Sequence, residues 1–141
     1  MASGTPLTDD DRWPWLRELA AWIGERERAG RCAVLTCSAL RRAYRDLLRD
    51  GHPSVWFVQV DVDRAALAKR LAERRGHYMP PSLLDSQLAT LEPLAPDEPG
   101  TVIPGDADLP VVVDSVLAAL RAAGRCAGAA GARRPSRPPR R

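Results

Sequence analysis

The chain has 141 residues, 45% of them hydrophobic and 28% charged, which suffices for one folded domain and is typical of globular proteins. Its formal net charge of +3 is carried by residues 125–141, which contain six arginines, three prolines and no acidic residue; without them, 15 basic side chains stand against 18 acidic ones. The composition therefore excludes a domain that is basic throughout, and no apolar run reaches the roughly 18 residues that a membrane span needs.

Two regions are predicted from this distribution: one domain over residues 1–124 and a disordered tail over residues 125–141, which lacks the apolar side chains needed for a core. The three cysteines, Cys32, Cys37 and Cys126, form an odd set without a CxxC pair. They predict neither a disulfide framework nor a zinc site, and free thiols are typical of a reducing, cytoplasmic location.

The first predicted helix spans residues 11–29. Thr8 and Asp11 resemble a capping box, and the run of three aspartates suits the positive end of a helix. Gly30 provides the stop. Apolar side chains recur at helical spacing, at Trp15, Leu16, Leu19, Trp22 and Ile23.

The first predicted strand is CAVLTC, at residues 32–37. The run is short and continuously apolar, which is typical of a parallel strand buried on both faces. Ser38 is then expected to cap a helix that continues to about Asp50 and ends at Gly51.

The second predicted strand is SVWFVQV, at residues 54–60, and either Asp61 or Asp63 opens the helix that follows it. The segment RRGHYMPPS, at residues 74–82, interrupts the pattern with glycine and prolines and is predicted to be a loop.

A short helix and a weak third strand come next. Ser82, with Asp85 three residues later, is expected to cap a helix that ends near Glu92. The segment EPGTVIPGD, at residues 98–106, then contains the third strand.

The last helix begins at Asp108 and Pro110 and ends at Gly124. Strands that alternate with helices predict an α/β fold with a parallel sheet. Three strands make a narrow sheet of this kind, and a strand buried on both faces needs a neighbour at each edge, so further strands are expected beside it.

Polar groups after the predicted strands are the candidate ligand-binding residues, because open α/β sheets bind ligands at the carboxyl ends of their strands. Arg41 and Arg45 lie one helical turn apart and are candidates to converge on one anion. The chain has no HExxH, GxSxG or GxxxxGK[ST] pattern. These residues indicate an anion-binding α/β domain, with a solvated helix face as the alternative for each arginine. The two groups are Ser38, Arg41, Arg42, Tyr44 and Arg45, and then Arg70, Arg74, Arg75 and His77.

Three segments together resemble the gluconate kinases. MASGTPLTDDDRWPWL is similar to their K-M-x-x-G-x-P-L-x-D-x-D-R-x-P-W-L stretch, and CAVLTCSALRRAYRDLLR is similar to their C-S-A-L-K/R-x-x-Y-R-D-x-L-R segment. RRGHYMPPSLLDSQLATLEPL resembles the lid of the family, R-x-G-H-F-M-x-x-x-L-L-x-S-Q-x-x-T-L-E-x-P. The order and the separations match as well, and the resemblance extends from Met1 to about Leu120.

The resemblance implies a P-loop NTPase-like fold of the shikimate kinase group, a parallel sheet flanked by helices, with a lid at about residues 74–92. It implies transfer of the γ-phosphoryl group of Mg·ATP to the 6-hydroxyl of D-gluconate, giving 6-phospho-D-gluconate in carbohydrate-acid catabolism that feeds the pentose phosphate pathway. It also makes a cytoplasmic homodimer the expected assembly, with no membrane partner and no nucleic-acid partner for the folded domain.

The same resemblance assigns roles to residues. Arg41 stands where the family usually has lysine. The residues implied in substrate binding are Arg12, Ser38, Ala39, Arg41, Tyr44 and Arg45. Those implied in the lid are Arg74 and Arg75, which would act on the phosphates, and His77, Ser86 and Gln87, which would order the closed loop. Those implied near the nucleotide are Asp106, Asp108 and Pro110.

The sequence departs from the family in one respect: the strand, the Gly-rich phosphate loop, the helix and the second strand that precede the matched region are not found in these 141 residues. Most groups that bind ATP and Mg²⁺ are therefore expected in a missing segment. Three readings stay open. The recorded start is internal to a full gluconate kinase, or the chain is an inactive sugar-acid-binding or subunit-pairing module, or its arginine tail is a nucleic-acid-binding arm.

Overall fold

A computed structural model describes residues 8–73 and 81–125, in seven helices and strands. The elements are α1 (Asp9–Arg28), α2 (Arg42–Arg49), β1 (Phe57–Asp61), α3 (Arg64–Glu73), α4 (Pro81–Thr90), β2 (Gly100–Pro104) and α5 (Leu109–Ala122). No helix within those two ranges is both long and apolar enough to cross a membrane.

The boundaries of several elements agree with the local sequence signals. At the start of α1, the Asp11 backbone N–H donates to Thr8 Oγ1 at 3.3 Å, and the Thr8 backbone N–H donates to Asp11 Oδ2 at 2.9 Å. This is the predicted capping box. Gly30 follows α1 with a φ of 60°, and Asp63 caps α3 by accepting from the Ala65 backbone N–H at 2.8 Å.

The two strands form a parallel pair, which confirms the predicted α/β architecture. The register runs from Phe57 opposite Gly100 to Asp61 opposite Pro104. A Cβ atom on Gly100 would lie 2.6 Å from both the Leu94 side chain and the Phe57 carbonyl oxygen, so the strand needs glycine at this point. Helix α5 packs against β2.

Residues 32–37 do not form the predicted strand. They have no regular secondary structure, and Val34 and Leu35 are 94% and 39% exposed. A parallel strand exists only through hydrogen bonds to a neighbouring strand, and within the described ranges the sheet consists of β1 and β2. The strand prediction is therefore wrong for the described residues, because the run has no hydrogen-bonded neighbour among them.

Helix α2 begins at Arg42, with Arg41 at the N-cap, so the prediction that Ser38 caps it is wrong. The reason is that a distant residue, rather than a neighbouring one, accepts the hydrogen bond at the start of this helix. The Glu92 carboxylate accepts from the Arg42 backbone N–H at 2.6 Å, and the Glu92 backbone N–H donates to the Leu40 carbonyl at 2.8 Å. A residue 50 positions away thus satisfies the first turn of α2.

The predicted cap of α4 is also wrong. Ser82 is the second residue of the helix rather than its N-cap, and Asp85 binds Arg64 of α3, with Oδ1 2.6 Å from Nη2. The helix ends at Thr90 instead of Glu92, because Glu92 is bonded to the start of α2.

The core lies between α1 and α2 and is centred on Leu16, Tyr44 and Leu48, which are 1% to 3% exposed. Burial of each aliphatic side chain of this size stabilises the fold by about 1.5–3 kcal/mol. The ring of Trp13 packs edge-on against Tyr44 with 5.2 Å between centroids. The partly buried residues around this centre are Trp13, Leu19, Ile23, Cys37, Ala39 and Leu47.

A second contact fixes the far end of α1 to the turn after α2. His52 lies in that turn, and its Nδ1 atom is 3.0 Å from Glu27 Oε2. Gly24 makes room for the imidazole, since a Cβ atom there would lie 2.8 Å from His52 Cε1. The core around Leu16 and the contact between His52 and Glu27 together hold α1 against α2. They thereby fix the relative position of the N-terminal ends of the two helices, where the candidate site lies.

Candidate functional site

Polar side chains from the first turns of α1 and α2 meet above the core. The Tyr44 hydroxyl donates to Asp9 Oδ1 at 2.5 Å, and Arg41 Nη1 donates to Asp9 Oδ2 at 2.7 Å. The guanidinium carbons of Arg12 and Arg41 lie 5.9 and 6.0 Å from the centroid of the Tyr44 ring. We call these four residues the acceptor cluster.

The acceptor cluster has a buried floor and a half-exposed rim. Tyr44 is 1% exposed, whereas the Arg41 and Asp9 side chains are 43% and 42% exposed. Burial, and after it the hydrogen bond to the Asp9 carboxylate, raises the pKa of the Tyr44 hydroxyl above its usual value. The phenol therefore stays protonated near neutral pH and acts as a hydrogen-bond donor.

The charges of this cluster suit a small anion that also carries hydroxyl groups. The cluster combines two guanidinium groups, those of Arg12 and Arg41, with one carboxylate, that of Asp9. Guanidinium N–H groups bind carboxylate or phosphate oxygens, and a carboxylate accepts hydrogen bonds from hydroxyls. A polyhydroxy acid presents both kinds of group.

The structure does not bring Arg45 to this cluster. Arg45 is 5% exposed, and its Nε and Nη2 atoms donate to the two carboxylate oxygens of Glu98 at 2.6 and 2.7 Å. The remaining contacts of its guanidinium are to the backbone carbonyls of Ala39, Leu40, Glu92 and Pro93. The expectation that Arg41 and Arg45 converge on one anion is therefore wrong, because Arg45 already has a carboxylate inside the protein.

Ser38 and Ala39 lie in the segment that leads into α2. Ser38 is exposed, and Ala39 packs against the core while its carbonyl accepts from Arg45 Nη1 at 3.3 Å. Cys37 beside them is half-buried, and burial raises the pKa of its thiol. A thiol held in its neutral form is a packing group rather than a nucleophile.

Asp106, Asp108 and Pro110 follow β2 at the carboxyl end of the sheet. Asp106 Oδ1 accepts a long hydrogen bond, 3.4 Å, from the Asp63 backbone N–H and so joins the ends of the two strands. Asp108 is the N-cap residue of α5, and Pro110 lies in the first turn of that helix. Pro110 therefore has a local structural role, because proline suits the first turn of a helix, whereas the Asp108 side chain makes no capping hydrogen bond.

Comparison with known proteins identifies the family. The chain is 48% identical to the gluconokinase of Gluconobacter oxydans over 83% of its own length and 66% of that protein, and 38% identical to the thermoresistant gluconokinase of Escherichia coli over 86% and 70%. The chain belongs to the gluconokinase family. A scan against models of known protein families gives no match.

Solved structures agree with this assignment. A sugar kinase from Janibacter sp. has a TM-score of 0.79 at 50% identity, covering 84% of this chain and 69% of that one. A gluconokinase from Sinorhizobium meliloti has a TM-score of 0.75 at 43% identity, covering 87% and 69%. The family resemblance and the α/β P-loop kinase fold are thereby confirmed, and the chain spans about two thirds of the length of these gluconokinase relatives.

The predicted lid of this gluconokinase family member is described only in part. Arg74, Arg75 and His77 lie outside the described residues. Ser86 and Gln87 lie on α4 and are partly buried, and the Ser86 carbonyl accepts from Thr90 Oγ1 at 2.8 Å.

The fit of a magnesium ion was tested against the acidic side chains of the gluconokinase domain. Within residues 8–73 and 81–125, no group of three or more His, Cys, Asp and Glu side chains is arranged to hold a metal ion. The described residues therefore do not form a Mg²⁺ site of their own.

Three functional or supporting residues were missed in the sequence: Asp9, Glu92 and Glu98. Asp9 was explained as one of three acidic residues that suit a helix N-terminus, which hid its contacts with residues 32 and 35 positions away. Glu92 is the glutamate of the T-L-E-x-P match, but that match does not indicate what it binds, and Glu98 lies in no recognisable pattern. Their partners, Arg42 and Arg45, are more than 40 residues away.

Proposed function

We propose that this chain provides the acceptor side of a gluconokinase, which transfers the γ-phosphoryl group of ATP to the 6-hydroxyl of D-gluconate and releases 6-phospho-D-gluconate. Family membership supports the reaction class, and the acceptor cluster supports the substrate. The observation that carries the proposal is the half-exposed Arg41 guanidinium held beside a carboxylate and a protonated phenol.

In this proposal the acceptor cluster binds the acid end of gluconate. Arg41 and Arg12 donate to the carboxylate of the substrate, and the exposed Ser38 hydroxyl binds a substrate hydroxyl. Tyr44 and the Ala39 backbone form the floor that fixes these groups. Arg45 supports the site from below, through Glu98, and does not touch the substrate.

The phosphoryl end of the reaction is assigned to the lid and to the turn after β2. Phosphoryl transfer depends on positioning and on neutralising charge, so Arg74 and Arg75 are proposed to close over the phosphates. His77, Ser86 and Gln87 would order the closed lid. Asp106, Asp108 and Pro110 would lie near the adenine, and Mg²⁺ would accompany ATP through groups outside the described residues.

The wider organisation is proposed on the same grounds. Residues 1–124 form the kinase domain with a lid at about 74–92, and residues 125–141 form a tail without a role in the reaction. The protein would act in the cytoplasm as a homodimer. An inactive sugar-acid-binding or subunit-pairing module is the second candidate, because the acceptor cluster is present while the 141 residues contain no GxxxxGK[ST] pattern.

Calorimetric titration with D-gluconate, without ATP, tests the substrate assignment. Arg41→Ala should weaken binding by about tenfold or more, since it removes a charge-assisted contact. Arg42→Ala is the matched control on the same helix and should bind like the wild type. Absence of saturable gluconate binding, or equal affinity for the two variants, would contradict the assignment.

An assay of ADP release from ATP and gluconate then separates the two candidates. Turnover that depends on both substrates identifies a kinase. Gluconate binding without turnover, in the protein purified from its own cells, identifies the sugar-acid-binding module.

A further inference from the structure

The three aspartates at the start of α1 have three different environments. Asp11 completes the capping box with Thr8, and Asp10 is exposed. Asp9 instead reaches across to α2, where each of its carboxylate oxygens accepts from a different residue. A helix N-terminus is served by any nearby negative charge, so its needs do not explain this third arrangement.

The contacts of Asp9 fix the Arg41 side chain, which would otherwise be held loosely, to the buried Tyr44 hydroxyl. Arg41 has a long side chain that is 43% exposed, and such side chains have several rotamers of similar free energy. The hydrogen bond from Arg41 Nη1 to Asp9 Oδ2 selects one of these rotamers. The bond from the buried Tyr44 hydroxyl fixes the same carboxylate from below, so its orientation is set by the core.

The charge of Asp9 has two opposed effects on an anion at Arg41. Its repulsion of the anion is weakened by water, because both side chains of the pair are more than 40% exposed. Its orienting effect on the guanidinium acts through a direct hydrogen bond of 2.7 Å, and the carboxylate that accepts this bond is itself fixed by the buried Tyr44 hydroxyl. Orientation should therefore outweigh repulsion.

We propose that Asp9 is a positioning residue of the sugar-acid site: it holds the Arg41 guanidinium and the Tyr44 hydroxyl in the arrangement that binds the carboxylate of the substrate. The inference rests on the proposed function, because it adds a residue to the same site. The arrangement is prepared before the substrate arrives, so that little conformational entropy is lost on binding.

The test is a double-mutant cycle on D-gluconate affinity, measured by calorimetry with the full chain. Asp9→Asn should weaken binding about tenfold, whereas Asp10→Asn, which removes the same charge from the same helix turn, should leave it unchanged. If Asp9 acts through Arg41, then Asp9→Asn in an Arg41→Ala background should cause no further loss. Asp9→Glu keeps a carboxylate and should bind more tightly than Asp9→Asn.

The possible outcomes distinguish the role of Asp9 from the proposed function. Unchanged affinity in Asp9→Asn, additive losses in the double variant, or no recovery in Asp9→Glu would overturn the role of Asp9 and leave the proposed function standing. Absence of gluconate binding by the wild type would overturn the proposed function, and the role of Asp9 with it. If Asp9→Asn does not fold, Tyr44→Phe replaces it in the cycle, because it removes the other contact that orients the carboxylate.

Discussion

Helix α2 carries two arginines one turn apart that serve opposite purposes. Arg41 is half-exposed and donates to one carboxylate oxygen of Asp9, so part of its guanidinium faces solvent. The Arg45 side chain is 6% exposed, and the Glu98 side chain that binds it is 3% exposed. One residue type, at two positions four residues apart, is thus half-exposed in one case and an internal support in the other.

Burial and the number of satisfied donors separate the two arginines. A buried guanidinium is tolerated only when its donors have acceptors, and Arg45 has the Glu98 carboxylate and four backbone carbonyls. An exposed arginine loses little when a donor is left to water, so it can offer that donor to a ligand. Spacing along a helix therefore does not show whether two arginines act together.

The largest effect is expected at Arg45. Arg45→Ala leaves the Glu98 carboxylate buried without a cation and should lower the free energy of unfolding by about 3–5 kcal/mol. Arg41→Ala breaks a half-exposed pair and should cost less than about 1 kcal/mol. Urea unfolding followed by far-UV circular dichroism measures both. Similar losses of unfolding free energy in the two variants would contradict the claim that burial distinguishes Arg45 from Arg41.

An effect of intermediate size is expected when the pH is lowered and the Glu98 carboxylate is protonated. The hydrogen bonds from Arg45 hold the pKa of Glu98 below its usual value of 4.5. A carboxyl group whose pKa is lowered by folding stabilises the protein fully above its unfolded pKa, and this contribution is lost as the pH falls through the folded pKa.

The stability difference between the wild type and Glu98→Gln should therefore be constant near neutral pH and should shrink below about pH 4.5. Because other carboxyl groups are common to the two proteins, their effects cancel in the difference. Thermal unfolding at a series of pH values provides the measurement. A difference that stays constant down to the acid-unfolded state would show that the Glu98 charge is not what stabilises the pair.

The smallest effect is expected at Arg42, which lies between the other two and donates to both oxygens of Asp97 at 2.7 and 3.0 Å. Its side chain is 45% exposed and that of Asp97 is 64% exposed, so water and salt screen the pair. Asp97→Asn should leave the unfolding midpoint almost unchanged, and the residual difference should vanish at high ionic strength. A loss comparable to that of Arg45→Ala would mean that exposure does not distinguish the three arginines.

The sequence predicted the elements whose signals are local. The capping box of Thr8 and Asp11, the cap of α3 at Asp63 and the glycines after three helices all lie within a few residues of the boundary they set. The parallel sheet followed from the alternation of strands and helices, and the motif segments identified the family.

The features that were missed depend on distant residues. The start of α2 is set by Glu92 and the burial of Arg45 by Glu98, and neither contact leaves a trace in local spacing. The apolar run at residues 32–37 shows the converse case, since its composition suits a strand but a strand also needs a hydrogen-bonded neighbour. In the acceptor cluster, the contacts of Asp9 were not predicted, because the favourable effect of a negative charge at a helix N-terminus already explained an aspartate at this position.

The bonds that Glu92 makes to the start of α2 have a mechanical consequence for α4. Both the backbone N–H and the carboxylate of Glu92 are held there, only two residues after α4 ends. The C-terminal end of α4 is thus pinned to the segment that presents Arg41. A displacement of α4 that keeps these bonds is therefore restricted at its C-terminal end, and a larger displacement of the rest of the helix would have to break the ion pair between Asp85 and Arg64.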